Sequence, residues 1–436
     1  MTRVIPGVEI NVVKEVVAPQ LAPSGVLGLV GLTETALTRT ERASSWNRFL
    51  EVAGPASAYS LPEARLALGN GVFELVLVPL KSTVAKRAEV GALKLEARAP
   101  GVWANGYKLK VTARNGKFDL EVRLPGAGEK EVPLEVIRDL EDAKAAEKLA
   151  AASAVLRAQA GVKLAVGDYV LAGGADASAK EYVDALGALQ DEPDVDLVLA
   201  ALQDFGDDDK VAQVYSGVIS HCELMSRDSK GRIGFGQLPP DATLDDAKAL
   251  ATKLLSDRFV LLAPHGVAGA VAGRVGSLDY FQSPTFKALT GVTALGRAIP
   301  LEEQGQLLQA NVVPVVEQRG RGAIVLRGLT TDGDQISVRR VADRAVRGVR
   351  VIGELFIGRL NNEDGRGALK QKLAEFLAQM HKDGALVPST DGKDPAFKVD
   401  VYSSQADFAQ GIVRVAIAVR PVRAIDFIYA TILVQV

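Results

Sequence analysis

Apolar positions along the chain fall into blocks whose period changes from one region to the next. After a Pro6-Gly7 turn signal, Val8, Ile10 and Val12 alternate with Glu9 and Asn11, the period-two pattern of an edge-type strand. A loose stretch with Pro19 and Pro23 follows, and then a continuous apolar run from Val26 to Leu32 that predicts a buried strand. A strand tethered by a Pro-containing linker can pair inside its own sheet or away from it, and the pattern allows both. Residues 95–165 change character: short alternating segments carry Asn105-Gly106 and Asn115-Gly116, dipeptides suited to type I′ hairpin turns because both central residues need positive φ. An Ala-rich stretch from Asp139 to Ala158 predicts a helix. This region reads as a β-hairpin module inserted between α/β segments.

From about 165 to 300 strands and helices alternate. Ser178 and Glu181 form a capping box that opens a helix with Tyr182, Leu186 and Leu189 on one face. The strand Val195 to Leu202 comes next. A second helix then places Val211, Val214, Tyr215, Val218, Cys222 and Met225 at helical spacing. The strand RIGFGQL, a helix with Ala247, Leu250 and Leu254, and the strand RFVLLAP complete the alternation. A layered, mainly parallel sheet with helices on its faces is expected. The last hundred residues predict a third unit. It has a basic helix from Val338 to Ile352, a helix from Ala368 to Lys382 with a stripe at Leu369, Leu373, Phe376, Leu377 and Met380, and three strands, AFKVDVY, GIVRVAIAV and IDFIYATILVQV. A terminal strand so apolar is expected to pair with something.

Composition narrows the class. With 436 residues, two or three domains are expected, and 48% hydrophobic against 24% charged residues is a globular balance. The 51 basic and 53 acidic residues are interspersed, which gives no electrostatic footprint for nucleic acid or a membrane surface. One cysteine, Cys222, excludes an internal disulfide and a cysteine-built zinc site. The start lacks the pattern of a secretory signal, and the longest apolar run, Phe259 to Gly273, is broken by Pro264 and His265. Synthesis in the cytoplasm without membrane insertion is expected.

Catalytic patterns are missing from the sequence: GxGxxG, a Walker sequence, HExxH and GxSxG do not occur. The run Gly266 to Gly276 lacks the lysine and hydroxyl of a phosphate loop, so tight packing of small residues is the better account. His221, His265 and His381 have no ligand spacing between them, and Asp207 to Asp209 lead into a helix whose dipole they favour. No catalytic residue, cofactor or metal is expected.

Several segments, taken in order, resemble the contractile tail sheath family of myophages, R-type pyocins and extracellular injection systems. IPGVEINVV resembles the family's Pro-Gly-Val opening strand. EARAPGVWANGYKLKV, Glu96 to Val111, is similar to its Ala-x-x-Pro-Gly-x-Trp-Gly-Asn segment, with Ala104 where glycine is usual. LLAPHGVAGAVAGRVGSLDYFQSPTF, ISVRRVADRAVRGV and IGRLNNED resemble later stretches. AVRPVRAIDFIYATILV resembles the Pro-rich close, with Arg423 near the place of a second proline.

The resemblance implies a multidomain chain of α/β and α+β parts. Residues 1–24 would be an N-terminal arm, 25–95 with 166–335 a layered α/β outer domain, 96–165 an inserted β-rich surface domain, and 336–436 an inner domain with a C-terminal arm. It implies a structural subunit that polymerises helically around an inner tube and contracts, with further copies of itself, the tube protein, and baseplate and terminal cap proteins as partners, in a virion tail or tail-like particle. Intersubunit strands would be carried by Val8, Ile10 and Val12 and by Phe427, Tyr429, Thr431 and Leu433. Lys370, Lys372 and Lys382 are candidates for tube contact, and Arg339, Arg340 and Arg347 for charge between subunits. The rivals are a baseplate component of the same machine and an α/β enzyme without a recognisable motif.

Overall fold

The computed structural model describes residue 21, residues 23–128 and residues 130–429. The described chain begins with β1 (Val26–Val30), β2 (Glu41–Ala43), α1 (Trp46–Ala53), α2 (Ser57–Ser60), α3 (Pro62–Gly69) and β3 (Glu74–Val78). An excursion follows through β4 (Glu89–Val90), β5 (Leu95–Ala97), β6 (Lys108–Arg114), β7 (Lys117–Arg123), β8 (Glu135–Leu140), α4 (Ala145–Ala152), β9 (Leu156–Ala158) and β10 (Gly167–Val170). The chain then returns through α5 (Ala179–Leu186), β11 (Leu197–Ala200), α6 (Asp208–Arg227), β12 (Ile233–Gln237), α7 (Leu244–Lys253), β13 (Phe259–Ala263), α8 (Ala268–Ser277), α9 (Leu301–Gln309), β14 (Val312–Gln318) and β15 (Gly322–Val325).

One eight-stranded sheet, in the order β15-β14-β13-β12-β11-β1-β3-β2, is parallel except at its two edges, where β15 and β2 run antiparallel. Helices cover both faces, which is why its inner strands read as unbroken apolar runs. In β1, Leu27 and Leu29 join the core beneath α1, α3 and α8, while Val26 and Val30 join the core beneath α5, α6 and α7. Gly28 sits between them because a Cβ there would lie 2.8 Å from Leu189 Cδ1. The run from Gly266 is a packing surface: a Cβ on Gly269 or Gly273 of α8 would come within 2.5 Å of Glu63 O or 2.4 Å of Ala67 O on α3. The capping box at Ser178 forms as the sequence predicts, and Asp207 caps α6 ahead of Asp208 and Asp209 in its first turn.

The inserted module has its own core, running from Ala88 to Leu171, beneath a β10-β6-β7-β8 sheet and a small β4-β5-β9 sheet. Asn115-Gly116 turns the β6–β7 hairpin, with φ of 50° and 78°. Asn105-Gly106 does not turn a hairpin. Its Asn105 side chain instead bridges to the returning chain, donating to Gly174 O at 3.0 Å and accepting from Gly174 N at 2.9 Å. The Ala-rich stretch is not one helix: α4 spans only Ala145–Ala152, because β8 claims residues to Leu140 and β9 begins at Leu156.

Contacts divide the described chain inside α10 (Ile336–Glu354), the Arg347–Arg420 unit on one side and the α/β unit, with residues from Pro421, on the other. The smaller unit contains α11 (Glu363–Lys382), β16 (Phe397–Tyr402), α12 (Gln405–Ala409) and β17 (Arg414–Val419). The predicted α11 stripe is buried or half-buried, and Leu369 and Leu373 pack with Val399, Val401, Val413 and Ile417 of the hairpin formed by β16 and β17. Gly348 allows the close approach of Phe376, whose ring carbon would lie 2.1 Å from a Cβ there.

Candidate assembly interface

The last described residues invert the pattern expected of a strand. Residues 422–429 adopt no regular structure, so the third predicted strand does not form over its described part. Asp426, the polar residue of IDFIY, is turned inward with its side chain 6% exposed, while Ile425, Ile428 and Tyr429 are 79%, 84% and 94% exposed. The cause is a polar cradle on the α/β unit. Arg327 Nε donates to Asp426 Oδ2 at 2.9 Å, Gln335 Nε2 donates to the same oxygen at 2.9 Å, and Thr285 Oγ1 approaches Oδ1 at 3.5 Å. Gln335 also pairs in both directions with Ala424, donating to its carbonyl at 3.1 Å and accepting from its amide at 2.9 Å. Arg423 donates to Asp334 at 2.7 Å, and the Arg327 guanidinium lies 5.2 Å from the Phe427 ring centre. Of the expected arm positions, Phe427 and Tyr429 are thus on the surface, whereas Val8, Ile10, Val12, Thr431 and Leu433 lie outside the described residues. Sequence reasoning missed Asp426 and Gln335. The only signal was one acidic residue inside an apolar stretch, which period-two logic sends to the solvent face.

In the smaller unit, β16 and β17 form a two-stranded antiparallel sheet in register from Phe397↔Val419 to Tyr402↔Arg414. Neither outer edge is paired with another strand among the described residues. Two strands alone are marginal, and an open edge is a template for another strand. One end of the hairpin is pinned by Asp407, which accepts from Arg414 Nε and Nη2 at 2.8–3.0 Å and from Ser404 Oγ at 2.7 Å, contacts that hold its carboxyl down to about 2.

The basic candidates separate. Arg340 is buried, donates to Val275 O at 2.7 Å and Leu278 O at 3.3 Å at the end of α8, and lies 3.9 Å from Asp196. Arg339 pairs with Asp257 at 2.7 Å and Asp343 at 3.3 Å, and Asp343 is also held by both terminal nitrogens of Arg258. Arg339 and Arg340, two of the three candidates for charge between subunits, thus have partners within their own chain, because α10 begins beside the carbonyl end of α8. Arg347 is half-buried on the same helix. Lys370 meets Asp400 at 3.2 Å, Lys372 meets Glu375 at 2.9 Å, and Lys382 is exposed at the end of α11.

The crevice where parallel sheets of this order take ligands is the switch point between β1 and β11. It is filled by the chain itself. Asp176 accepts from Lys210 Nζ at 2.9 Å, Tyr182 Oη at 2.9 Å and the Gln203 and Asp204 amides, while Gln203 Nε2 donates to Ser60 O at 2.8 Å. Gly101 of the Pro-Gly-x-Trp segment closes over Gln203, at φ 117° and with no room for a Cβ. His221 is buried against Arg232 at 2.7 Å, and burial together with that charge pushes its imidazole down to about 4. Among the described residues no cluster of three His, Cys, Asp or Glu side chains could hold a metal ion, and no helix is long and apolar enough to cross a membrane.

The chain is similar throughout its length to several solved structures. The PVC sheath complex of an extracellular contractile injection system, in its contracted state, is 13% identical with a TM-score of 0.60, over 99% of this chain and 98% of that one. The contracted helical sheath of the anti-feeding prophage is 15% identical with a TM-score of 0.57, over 99% of both chains. A sheath tail protein from Listeria innocua is 15% identical with a TM-score of 0.54, over 93% of this chain and 94% of that one. At these identities the likeness shows a shared fold. No curated protein matches the sequence significantly. Residues 175–331 match the family model of the phage tail sheath protein central domain, and residues 330–435 match that of the phage tail sheath C-terminal domain. Adjoining matches that cover more than half of the 436 residues make this chain a member of the phage tail sheath family.

Proposed function

We propose that the chain is the repeating subunit of a contractile sheath, polymerising helically around an inner tube and shortening to drive that tube through a target envelope. The observation that carries this reading is the pairing of surplus with deficit in one chain. An apolar C-terminal segment is displayed to solvent, and a two-stranded sheet has no further strand on either edge among the described residues. Strand addition between copies satisfies both, since the backbone of an arm completes the ladder and its alternate side chains choose the face. The N-terminal segment around Val8, Ile10 and Val12 and the C-terminal segment around Phe427, Tyr429, Thr431 and Leu433 would be the donors, and the sheet of β16 and β17 the acceptor.

In this reading the Arg347–Arg420 unit is the inner domain, the α/β unit the outer one, and the inserted module the exposed surface. Tube, baseplate and terminal cap proteins complete the particle, which would be built in the cytoplasm of the producing cell. The driving force would be stored in assembly. If contraction buried ~400 Å² more apolar surface per subunit, it would release on the order of 10 kcal/mol. Negative-stain electron microscopy of the purified protein at rising concentration tests the reading. Ribbed tubes of uniform width are expected, and removal of Met1 to Val12 should leave a folded protein that makes none. Compact particles at every concentration, even with the tube protein added, would sink the proposal.

A further inference from the structure

Apart from Thr285, the residues that hold 423–427 lie on one short stretch of the α/β unit, and they have no counterpart in the sequence patterns. Asp334 and Gln335 immediately precede the first residue of α10, and Arg327 follows β15. An irregular segment with four exposed apolar side chains would leave the surface unless something specific held it. Here a nearly buried carboxylate takes a charge-assisted bond from Arg327 and an amide bond from Gln335. The same Gln335 amide reads the backbone of Ala424 like a single rung of a β-ladder.

We infer that these contacts form a tether, with Asp426 as the positioning residue that fixes where the C-terminal arm departs from its own subunit. The inference rests on the polymer reading above and adds what happens to a load on the arm. β17 ends at Val419, shortly before the tether. Without a tether, tension on the arm would reach β17 end-on and open its ladder with β16 one bond at a time, each worth only ~1 kcal/mol. With it, tension meets the Asp426, Gln335 and Arg423 contacts together, and these must fail at once. The load passes into the loop that starts α10, a loop held by Thr331 through its bonds to Leu254 O at 2.6 Å and the Ser256 amide at 3.0 Å. The partner taken by the free side of the segment is a second copy of this chain.

Two measurements test the tether on the full-length protein. Hydrogen–deuterium exchange of the unassembled subunit compares wild type with Asp426→Ala and Gln335→Ala. Exchange is expected to quicken about tenfold in residues 421–429 and nowhere else. Sedimentation then gives the concentration at which tubes form, which should rise about tenfold in the same variants. Unchanged exchange in 421–429 overturns the tether itself. Faster exchange with an unchanged tube threshold overturns its mechanical role. Should Asp426→Ala fail to fold, Gln335→Ala carries both measurements, because it removes the Ala424 pairing and leaves the carboxylate with Arg327. Wild-type protein that forms no tubes overturns the polymer reading, while the exchange comparison still decides whether Asp426 holds the segment.

Discussion

Two buried titratable residues give the fold opposite responses to pH. Glu63 is the second residue of α3, and its burial pushes the carboxyl up to about 7 from an ordinary value of 4.5. Between those values the folded chain keeps a proton that the unfolded chain has released, so stability falls as pH rises through that window, by about 3 kcal/mol in full. Glu63→Gln should therefore raise the melting temperature at pH 8 and change it little at pH 4, and an equal shift at both would show that the carboxyl titrates normally. His221 works the other way. Burial, helped by Arg232, holds it down to about 4 from 6.5, so the unfolded chain binds the extra proton and stability falls as pH drops through that range.

At the level of elements, α8 packs closely on α3, made possible by Gly269 and Gly273. Gly273→Val puts branched carbon where the Ala67 backbone already lies, which cannot rotate aside as a side chain can. A loss of roughly 3 kcal/mol or more is expected, read as a lower urea midpoint with an unchanged slope; a loss below 1 kcal/mol would mean that α8 can shift. That this run packs tightly was legible in the sequence, because it lacks the lysine and hydroxyl of a phosphate loop; that α3 is what it meets was not. So were α6, whose six predicted positions are all buried, and the hairpin at Asn115-Gly116, where turn chemistry and strand period agree. Local signals failed where distant groups decided. Asn105 found Gly174 across the module instead of turning a hairpin, and the Ala-rich stretch was shared with two strands supplied by neighbouring sheets. The arm cradle was illegible for the same reason. Asp426 is called inward by Arg327 and Gln335, about a hundred positions away, and no window on IDFIY contains them.

For the whole molecule, charge sorts the surface from the interior. The arginines of early α10 pair with Asp257, Asp343 and the carbonyls ending α8, and Lys370 and Lys372 have carboxylate neighbours, while Lys382, the third candidate lysine, is exposed. Lys382→Glu is expected to reduce co-purification of the tube protein while sheath tubes still form, and undiminished co-purification would remove this residue from the tube contact. The sheet itself carries a cost in time. β1 is apolar on both faces and is joined by β3 early, but its other edge waits for β11, across the 170 positions that separate Val26 from Asp196. A ribosome needs about 10–30 s to make that much chain. Throughout that interval the centre of the future sheet is an unfinished, sticky edge, and the inserted module makes up about half of the polypeptide that keeps it waiting.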